Sequence, residues 1–254
     1  MRKSHKLAAV AVATLATSPF LGMSAALAAD GDTTANLQPV ALNGVNGSGT
    51  AMVQVDGTQI TVTMAAMGLL PDNPHAAHIH FGADARHECP TAAEDADGSG
   101  TLNTTEGGPA YGPVMVSLTK TGDTSAESVL AVDRFDTAPG GEISYERGSI
   151  DVAPELATAI ADGESVVVVH GVDHNDSGAY DGEAKSDLDA SLPTEATDPA
   201  LCGALIAAPV GGAETGSGGA STGSDAGILA LGGGLVLLAA GSGVVGARRI
   251  RATA

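Results

Sequence analysis

Short runs of alternating apolar and polar residues recur through the middle of the chain. Residues 51–55 and 59–64 alternate in this way on either side of Asp56-Gly57. A dipeptide of this kind between two alternating runs predicts a β-hairpin. Further runs of strand-like composition lie at residues 77–81, 114–118, 128–133, 142–144, 166–170 and 204–207. The pattern therefore predicts many short strands.

Helical periodicity is confined to one segment. Leu156 and Ile160 lie four residues apart in the segment 154–161, with Asp151 before it and Gly163 after it. This arrangement predicts one short connecting helix. Many short strands separated by Gly and Pro turns, with little helix, indicate an all-β fold, either an antiparallel Greek-key sandwich or a barrel.

The first 28 residues have the composition of a cleavable signal peptide. Arg2, Lys3 and Lys6 precede an apolar run that closes on the small residues Ala26 and Ala28. Signal peptidase recognises this order of features. We therefore expect an exported chain that is cut after Ala28.

An uncharged apolar stretch at residues 228–247 is long enough, as a helix, to cross a membrane. Residues 248–254 follow it directly and contain three arginines. Basic residues stay on the cytoplasmic side, so we expect an anchored domain at residues 29–208 outside the cell; a buried core helix is the alternative. Residues 209–227 are rich in Gly, Ser and Thr, which predicts a flexible linker. Glu214-Thr215-Gly216 leaves cell-wall attachment open, although the sequence has no LPxTG motif.

Charge is unevenly distributed along the chain. Of the 11 basic residues, three precede residue 7 and three follow residue 247. The part of the chain between them has five basic and all 30 acidic residues, so its net charge is −25. This charge excludes nucleic acid as a partner and favours bound cations, although many of the acids can equally form a solvated surface. With no Trp and only three Tyr and three Phe, the core must be largely aliphatic. Nothing in the composition indicates a protein partner.

Two cysteines, Cys89 and Cys202, are present in the chain. In an exported protein a single pair is most simply one disulfide, with two free thiols as the alternative. Closing a loop of more than a hundred residues would stabilise the fold by roughly 4 kcal/mol in the chain-entropy model.

Residues 95–106 form the most specific motif in the sequence, an oxygen-rich loop of the EF-hand type. Oxygen-bearing side chains occupy loop positions 1, 3, 5, 9 and 12, and Gly100 occupies position 6. Calcium prefers six to eight hard oxygen ligands, and the glycine permits the sharp turn. The predicted calcium ligands are Asp95, Asp97, Ser99, Asn103, Glu106 and the backbone carbonyl of Thr101. We expect no helix on either side, and an ordinary Asx-rich turn is the alternative.

A second, weaker calcium loop lies at residues 173–181. Asp173, Asn175, Ser177 and Asp181 supply oxygens at positions 1, 3, 5 and 9, but Ala184 stands at position 12. A turn without calcium is equally compatible with this pattern.

Three histidines lie at strand-like positions. His78 and His80 alternate along one predicted strand and so share a face, and His170 ends the run Val166-Val167-Val168-Val169. Imidazoles suit copper or zinc, so the three are candidate metal ligands; ordinary buried or surface histidines are the alternative.

Taken together, these features resemble the copper/zinc superoxide dismutases over residues 36–207. The shared elements are Gly68-Leu69, His78-Ile79-His80, Cys89 nine residues after His80, Val168-Val169-His170 and Cys202-Gly203. The resemblance implies a Greek-key β-barrel in which His78, His80 and His170 meet at copper. The fourth ligand would be water or one of His75, His87 and His174. His78-Ile79-His80 and the segment 139–143 also resemble the chordin-type CHRD modules, where the latter segment follows the late histidine strand instead of preceding it.

Two departures from the dismutase pattern limit what the resemblance implies. No histidine occurs between Cys89 and Val169, so a zinc site of the family type is absent. Pro199 stands where the family has an arginine that attracts superoxide, and the net charge of −25 repels such an anion. We therefore predict a metal-binding surface domain with copper and calcium, and we assign no catalytic residue. A dismutase-like oxidoreductase, a non-catalytic CHRD-like or adhesive module stabilised by calcium, and a copper-binding protein without turnover remain the alternatives.

Overall fold

The computed structural model describes residues 29–208. The predicted signal peptide, linker, membrane-spanning segment and basic tail lie outside the described residues. Within residues 29–208, no helix is both long enough and apolar enough to cross a membrane.

Antiparallel strands dominate the described part of the chain. They are β1 (Ala29–Pro39), β2 (Ser48–Gly57), β3 (Gln59–Met67), β4 (Pro74–His75), β5 (Ala77–His80), β6 (Val114–Ser117), β7 (Asp136–Thr137), β8 (Glu142–Asp151), β9 (Val166–His170), β10 (Pro199–Ala204) and β11 (Ile206–Ala207). Two α-helices interrupt them, α1 (Thr104–Tyr111) and α2 (Pro154–Ala161).

Nine of these strands form one sheet that curls into a half-barrel, in the order β6-β5-β9-β10-β1-β2-β3-β8, with β11 paired to β1. The short strands β4 and β7 pair separately. The antiparallel β class predicted from the sequence is confirmed. Among the described strands, β6 and β8 are the two ends of the sheet. They do not pair with each other, so the sheet is curled but not closed into a barrel by hydrogen bonds.

The predicted hairpin is confirmed as β2 and β3. Val53 pairs with Val62 across the hairpin, and the turn residue Gly57 has a φ of 63°, which glycine adopts without steric cost. Every second side chain of both strands is buried, as the alternation predicts, because successive residues of a strand point to opposite faces of the sheet.

Strand β9 is buried on both faces. Val167 and Val169 pack in the main core with residues of β2, β3 and β8, whereas Val166 and Val168 pack in a second cluster with Leu102 and other side chains. A continuous apolar run is typical of a strand covered on both sides. The second cluster lies on the face of the sheet that carries the three candidate histidines.

One predicted strand and the predicted number of helices were wrong, and one long strand was not predicted. Residues 128–133 are not a strand but belong to short 3₁₀ turns at Ala126–Ser128 and Val132–Arg134. Helix α1 was not predicted, because Gly107, Gly108 and Pro109 hide its periodicity, yet an N-terminal cap on Asn103 begins it. Residues 29–208 therefore contain two α-helices instead of one. Strand β1 was missed because Leu37 is the one large apolar side chain beside Thr33 and Ala35 on its buried face, which therefore has little hydrophobic contrast.

The sulfurs of Cys89 and Cys202 lie at disulfide-bonding distance, with the two Cα atoms 5.7 Å apart. The pair joins the segment after β5 to strand β10, across 113 residues of sequence. The sequence prediction of one disulfide is confirmed.

Candidate metal centre

Neighbouring strands position the three histidines. His78 and His80 lie on β5, and His78 is paired with Val168 and His80 with Val166 of the adjacent strand β9. Since His170 lies two residues beyond Val168 on the same face, the antiparallel pairing brings it beside His78. The three imidazoles therefore converge although 90 residues separate His80 from His170.

One ring nitrogen from each histidine lies within 4.8 Å of those of the other two. Two nitrogens bound to one ion at about 2.0–2.1 Å each can be at most about 4.2 Å apart, so shifts of a few tenths of an ångström suffice. The ring centroids of His78 and His170 are 5.0 Å apart, and all three side chains are at most 3 % exposed. The group can hold a metal ion.

Each of these rings uses one nitrogen to bind a backbone carbonyl. The oxygens are those of Val129, 3.2 Å from His78 Nε2, of Gly112, 2.8 Å from His80 Nδ1, and of Thr197, 2.6 Å from His170 Nδ1. Because a carbonyl only accepts, the ring nitrogen that faces it carries the proton. The other nitrogens, His78 Nδ1, His80 Nε2 and His170 Nε2, are buried without a hydrogen-bond partner. Each ring therefore keeps one lone pair free, the arrangement that metal-ligating histidines commonly adopt.

Burial keeps the three imidazoles neutral. It lowers the pKa of His80 to about 3 and that of His170 to about 4, and it lowers the pKa of His78 well below its ordinary value. Repulsion from the neighbouring imidazoles lowers the His78 and His80 values further. At neutral pH a proton therefore hardly competes with a metal ion for the free nitrogens.

Apolar and aromatic side chains surround the rings. The Tyr111 ring lies 4.5 Å from that of His80, and the Phe135 ring lies 5.4 Å from that of His78. Sequence reasoning identified the three histidines but missed these neighbours and the three carbonyls. A backbone carbonyl has no signature in a sequence, so nothing in the pattern could have indicated it.

The other candidate histidines do not join the cluster. The nitrogens of His75 lie 2.8 Å from the carbonyl oxygen of His170 and 3.0 Å from that of Leu70. His87 Nε2 contacts the Gly82 carbonyl at 2.9 Å. His174 Nε2 contacts a carboxylate oxygen of the buried Asp198 at 2.8 Å. Within residues 29–208, none of the three is placed to act as the fourth ligand.

The oxygen-rich loop at residues 95–106 brings three of its acids together. One carboxylate oxygen each from Asp95, Asp97 and Glu106 lies within 4.8 Å of the others. Ser99 donates a backbone hydrogen bond to each of the two aspartates, and the bonds from Ser99 lower the pKa of Asp97. This acidic cluster can hold a cation.

The remaining predicted ligands of that loop have other contacts. Ser99 Oγ donates to the Thr101 carbonyl at 3.1 Å, and Asn103 Oδ1 accepts from the Glu106 backbone N–H at 2.9 Å as the cap of α1. Glu106 Oε1 in turn accepts from the N–H of Ala96 at 2.9 Å. The loop is thus closed by its own hydrogen bonds.

Asn43 connects this loop to the sheet, although nothing in the sequence marked it. Its side chain is 2 % exposed, donates to the carbonyls of Leu102 and Pro199 at 2.8 Å, and accepts from the Leu102 N–H at 2.7 Å. Helix α1 forms a second connection, because it begins at the loop and ends at Tyr111, which packs on His80. The loop and the histidine cluster are therefore parts of one packed unit.

The second predicted loop repeats the turn of the first. Ser177 N donates to Asp173 at 3.1 Å and to Asn175 at 2.8 Å, and Asp181 Oδ1 accepts from Ser177 Oγ at 2.9 Å. Glu195, buried at 2 % exposure, reaches this loop from a distant segment and accepts from the N–H of Asp181 at 2.9 Å. Ala184 occupies loop position 12, where a calcium loop carries its last acidic residue. The Glu195 side chain contacts the loop from outside it.

Two comparisons of the sequence with known proteins give no relative. A scan against models of protein families finds no match, and a search of curated proteins finds none either.

Proposed function

We propose that this protein is an exported copper-binding domain in which His78, His80 and His170 hold one copper ion. Two observations carry the proposal. Each of the three histidines has one buried ring nitrogen without a hydrogen-bond partner, and one ring nitrogen of each lies within 4.8 Å of those of the other two. Buried polar atoms are nearly always paired, so one unpaired nitrogen on each of three adjoining histidines supports a partner that they share. An ion with a preference for imidazole nitrogen is such a partner.

Copper fits this donor set better than other divalent ions. Affinity for nitrogen ligands rises to copper(II) and falls again at zinc, and calcium and magnesium prefer oxygen. The resemblance to the copper/zinc superoxide dismutases supports the same assignment, because it matches these three histidines. Three neutral imidazoles leave the charge of the ion uncompensated at the site. The net charge of −25 in the surrounding chain attracts cations.

The proposed role is copper binding without efficient turnover of superoxide. Pro199 is buried at the position where the resembling family carries its arginine, and the acidic domain repels an anionic substrate. Export and anchoring at the cell surface belong to the proposal and rest on residues 1–28 and 228–247.

Metal analysis of the purified protein tests the proposal. After loading with equal copper and zinc, we expect one copper per chain and an electron paramagnetic resonance signal with nitrogen couplings. His170→Ala should lose the copper, whereas the control His87→Asn should keep it, since asparagine tolerates the φ of 56° at that position. Retention of zinc in place of copper, or of copper in His170→Ala, contradicts the proposal.

A second candidate function is a non-catalytic surface module stabilised by calcium. It is favoured by the convergence of Asp95, Asp97 and Glu106. The two functions are compatible, because calcium prefers oxygen ligands and copper prefers nitrogen ligands. Calcium-dependent melting, described in the Discussion, tests this candidate separately.

A further inference from the structure

A small cavity lies beside the histidine cluster. It has a volume of ≈ 40 Å³ and is lined by His78 and His170 together with Val129, Leu130 and Phe135 among other apolar residues. Its lining also includes Val132, which is 42 % exposed, so the cavity extends from the surface to two of the three candidate ligands. A water molecule needs roughly 10–15 Å³, so a molecule of about two or three heavy atoms fits.

The lining of this cavity is uncharged. Among the described residues that line it, none is Lys, Arg, Asp or Glu, and the polar contributions come from the two histidines, Tyr180 and Thr197. In the metal-free protein, an anion entering such a space would lose its hydration without meeting a positive side chain, which is costly. An uncharged molecule loses little on entry and gains dispersion contacts with the wall.

The cavity wall is held in place by hydrogen bonds before any ligand enters. Arg134 donates to Ser128 Oγ at 2.7 Å and to the Asp123 carbonyl at 2.8 Å, which fixes the segment that carries Val129 and Leu130. The Val129 carbonyl in turn faces His78 Nε2. The same segment therefore orients a candidate metal ligand and shapes the space next to it.

We propose that this cavity is the ligand compartment of the histidine cluster and admits small uncharged molecules of two or three heavy atoms, such as dioxygen, nitric oxide or carbon monoxide. The inference rests on the proposed function, because the ligand would bind the copper ion that the three histidines are proposed to hold. Three protein ligands leave a coordination position open, and His78 and His170 border the cavity. The cavity itself does not depend on the metal.

Xenon binding to the metal-free full-length protein tests the cavity without copper. Xenon is an uncharged probe that enters dry apolar cavities, and we expect a concentration-dependent shift of the ¹²⁹Xe resonance. Ala196→Leu places three more carbon atoms in the cavity wall and should remove most of this shift. The control Ala65→Leu makes the same change on an exposed position of β3 and should keep it. Leu192→Phe fills the space from another side, should the first variant not fold.

The copper-loaded protein then tests access from the cavity to the metal. We expect carbon monoxide to give one infrared band in the reduced protein, weakened severalfold in Ala196→Leu. A xenon shift that is absent, or equal in wild type and both filling variants, overturns the inference, as does a carbon monoxide band of equal strength in wild type and Ala196→Leu. If no copper binds, the proposed function fails while the xenon result still decides the existence of the cavity.

Discussion

The burial of three neutral imidazoles makes the stability of the metal-free protein depend steeply on pH. An unfolded chain protonates each histidine near pH 6.5, whereas the folded chain holds the pKa of His80 at about 3 and that of His170 at about 4. Below pH 6.5 the unfolded state therefore binds more protons, and the free energy of unfolding falls as the pH falls. Between pH 7 and pH 5 each of these two rings should lower it by about 2 kcal/mol, or about 4 kcal/mol together, and His78 should add to the loss.

Urea unfolding at pH 7 and pH 5, with a chelator present, measures this difference. The variant His80→Leu removes one titrating ring, so its loss of stability should be smaller than that of the wild type by about 2 kcal/mol. The control His87→Asn should show the full loss. Burial raises the pKa of Asp136 and Asp198, which acts in the opposite direction, but both residues are present in every variant and their effect cancels in the comparison.

Two results would refute this reasoning. The first is a metal-free wild type whose free energy of unfolding changes by less than about 1 kcal/mol between the two pH values. The second is an equal loss in His80→Leu and in the wild type. Either result would mean that the rings are hydrated or protonated in the folded protein, and the argument for three free nitrogen lone pairs would fail with it.

Two further predictions concern the cross-link and the acidic loop. Reducing the Cys89–Cys202 disulfide, which closes 113 residues, should lower the free energy of unfolding by roughly 4 kcal/mol in urea titrations; two titratable thiols in the unreduced protein would contradict the pairing. Calcium at about 100 times its dissociation constant should stabilise the fold by about 2.7 kcal/mol and raise the melting temperature. Glu106→Gln should abolish most of this rise and the exposed control Glu142→Gln should retain it, whereas identical melting in chelator and in calcium would show an ordinary turn.

Local patterns predicted most of the strands correctly. The hairpin of β2 and β3 follows from alternation around Asp56-Gly57, because residues close in sequence decide both its turn and its register. The same principle failed at β1, whose buried face carries Thr33 and Ala35 beside Leu37. It also failed at α1, where the cap on Asn103 outweighs an interior of weak helix formers.

The sequence by itself determined which residues can bind a metal and which of them share a face. Alternation places His78 and His80 on one side of a strand, and the spacing of oxygens along residues 95–106 predicts that loop, because both relations are set within a few residues. Only the tertiary structure decided that His170 completes the cluster, since its place depends on the pairing of β5 with β9. The carbonyls that orient the rings come from segments 27 to 51 residues away from the histidines they contact. Contacts over such separations depend on how the whole sheet curls, which no local pattern contains.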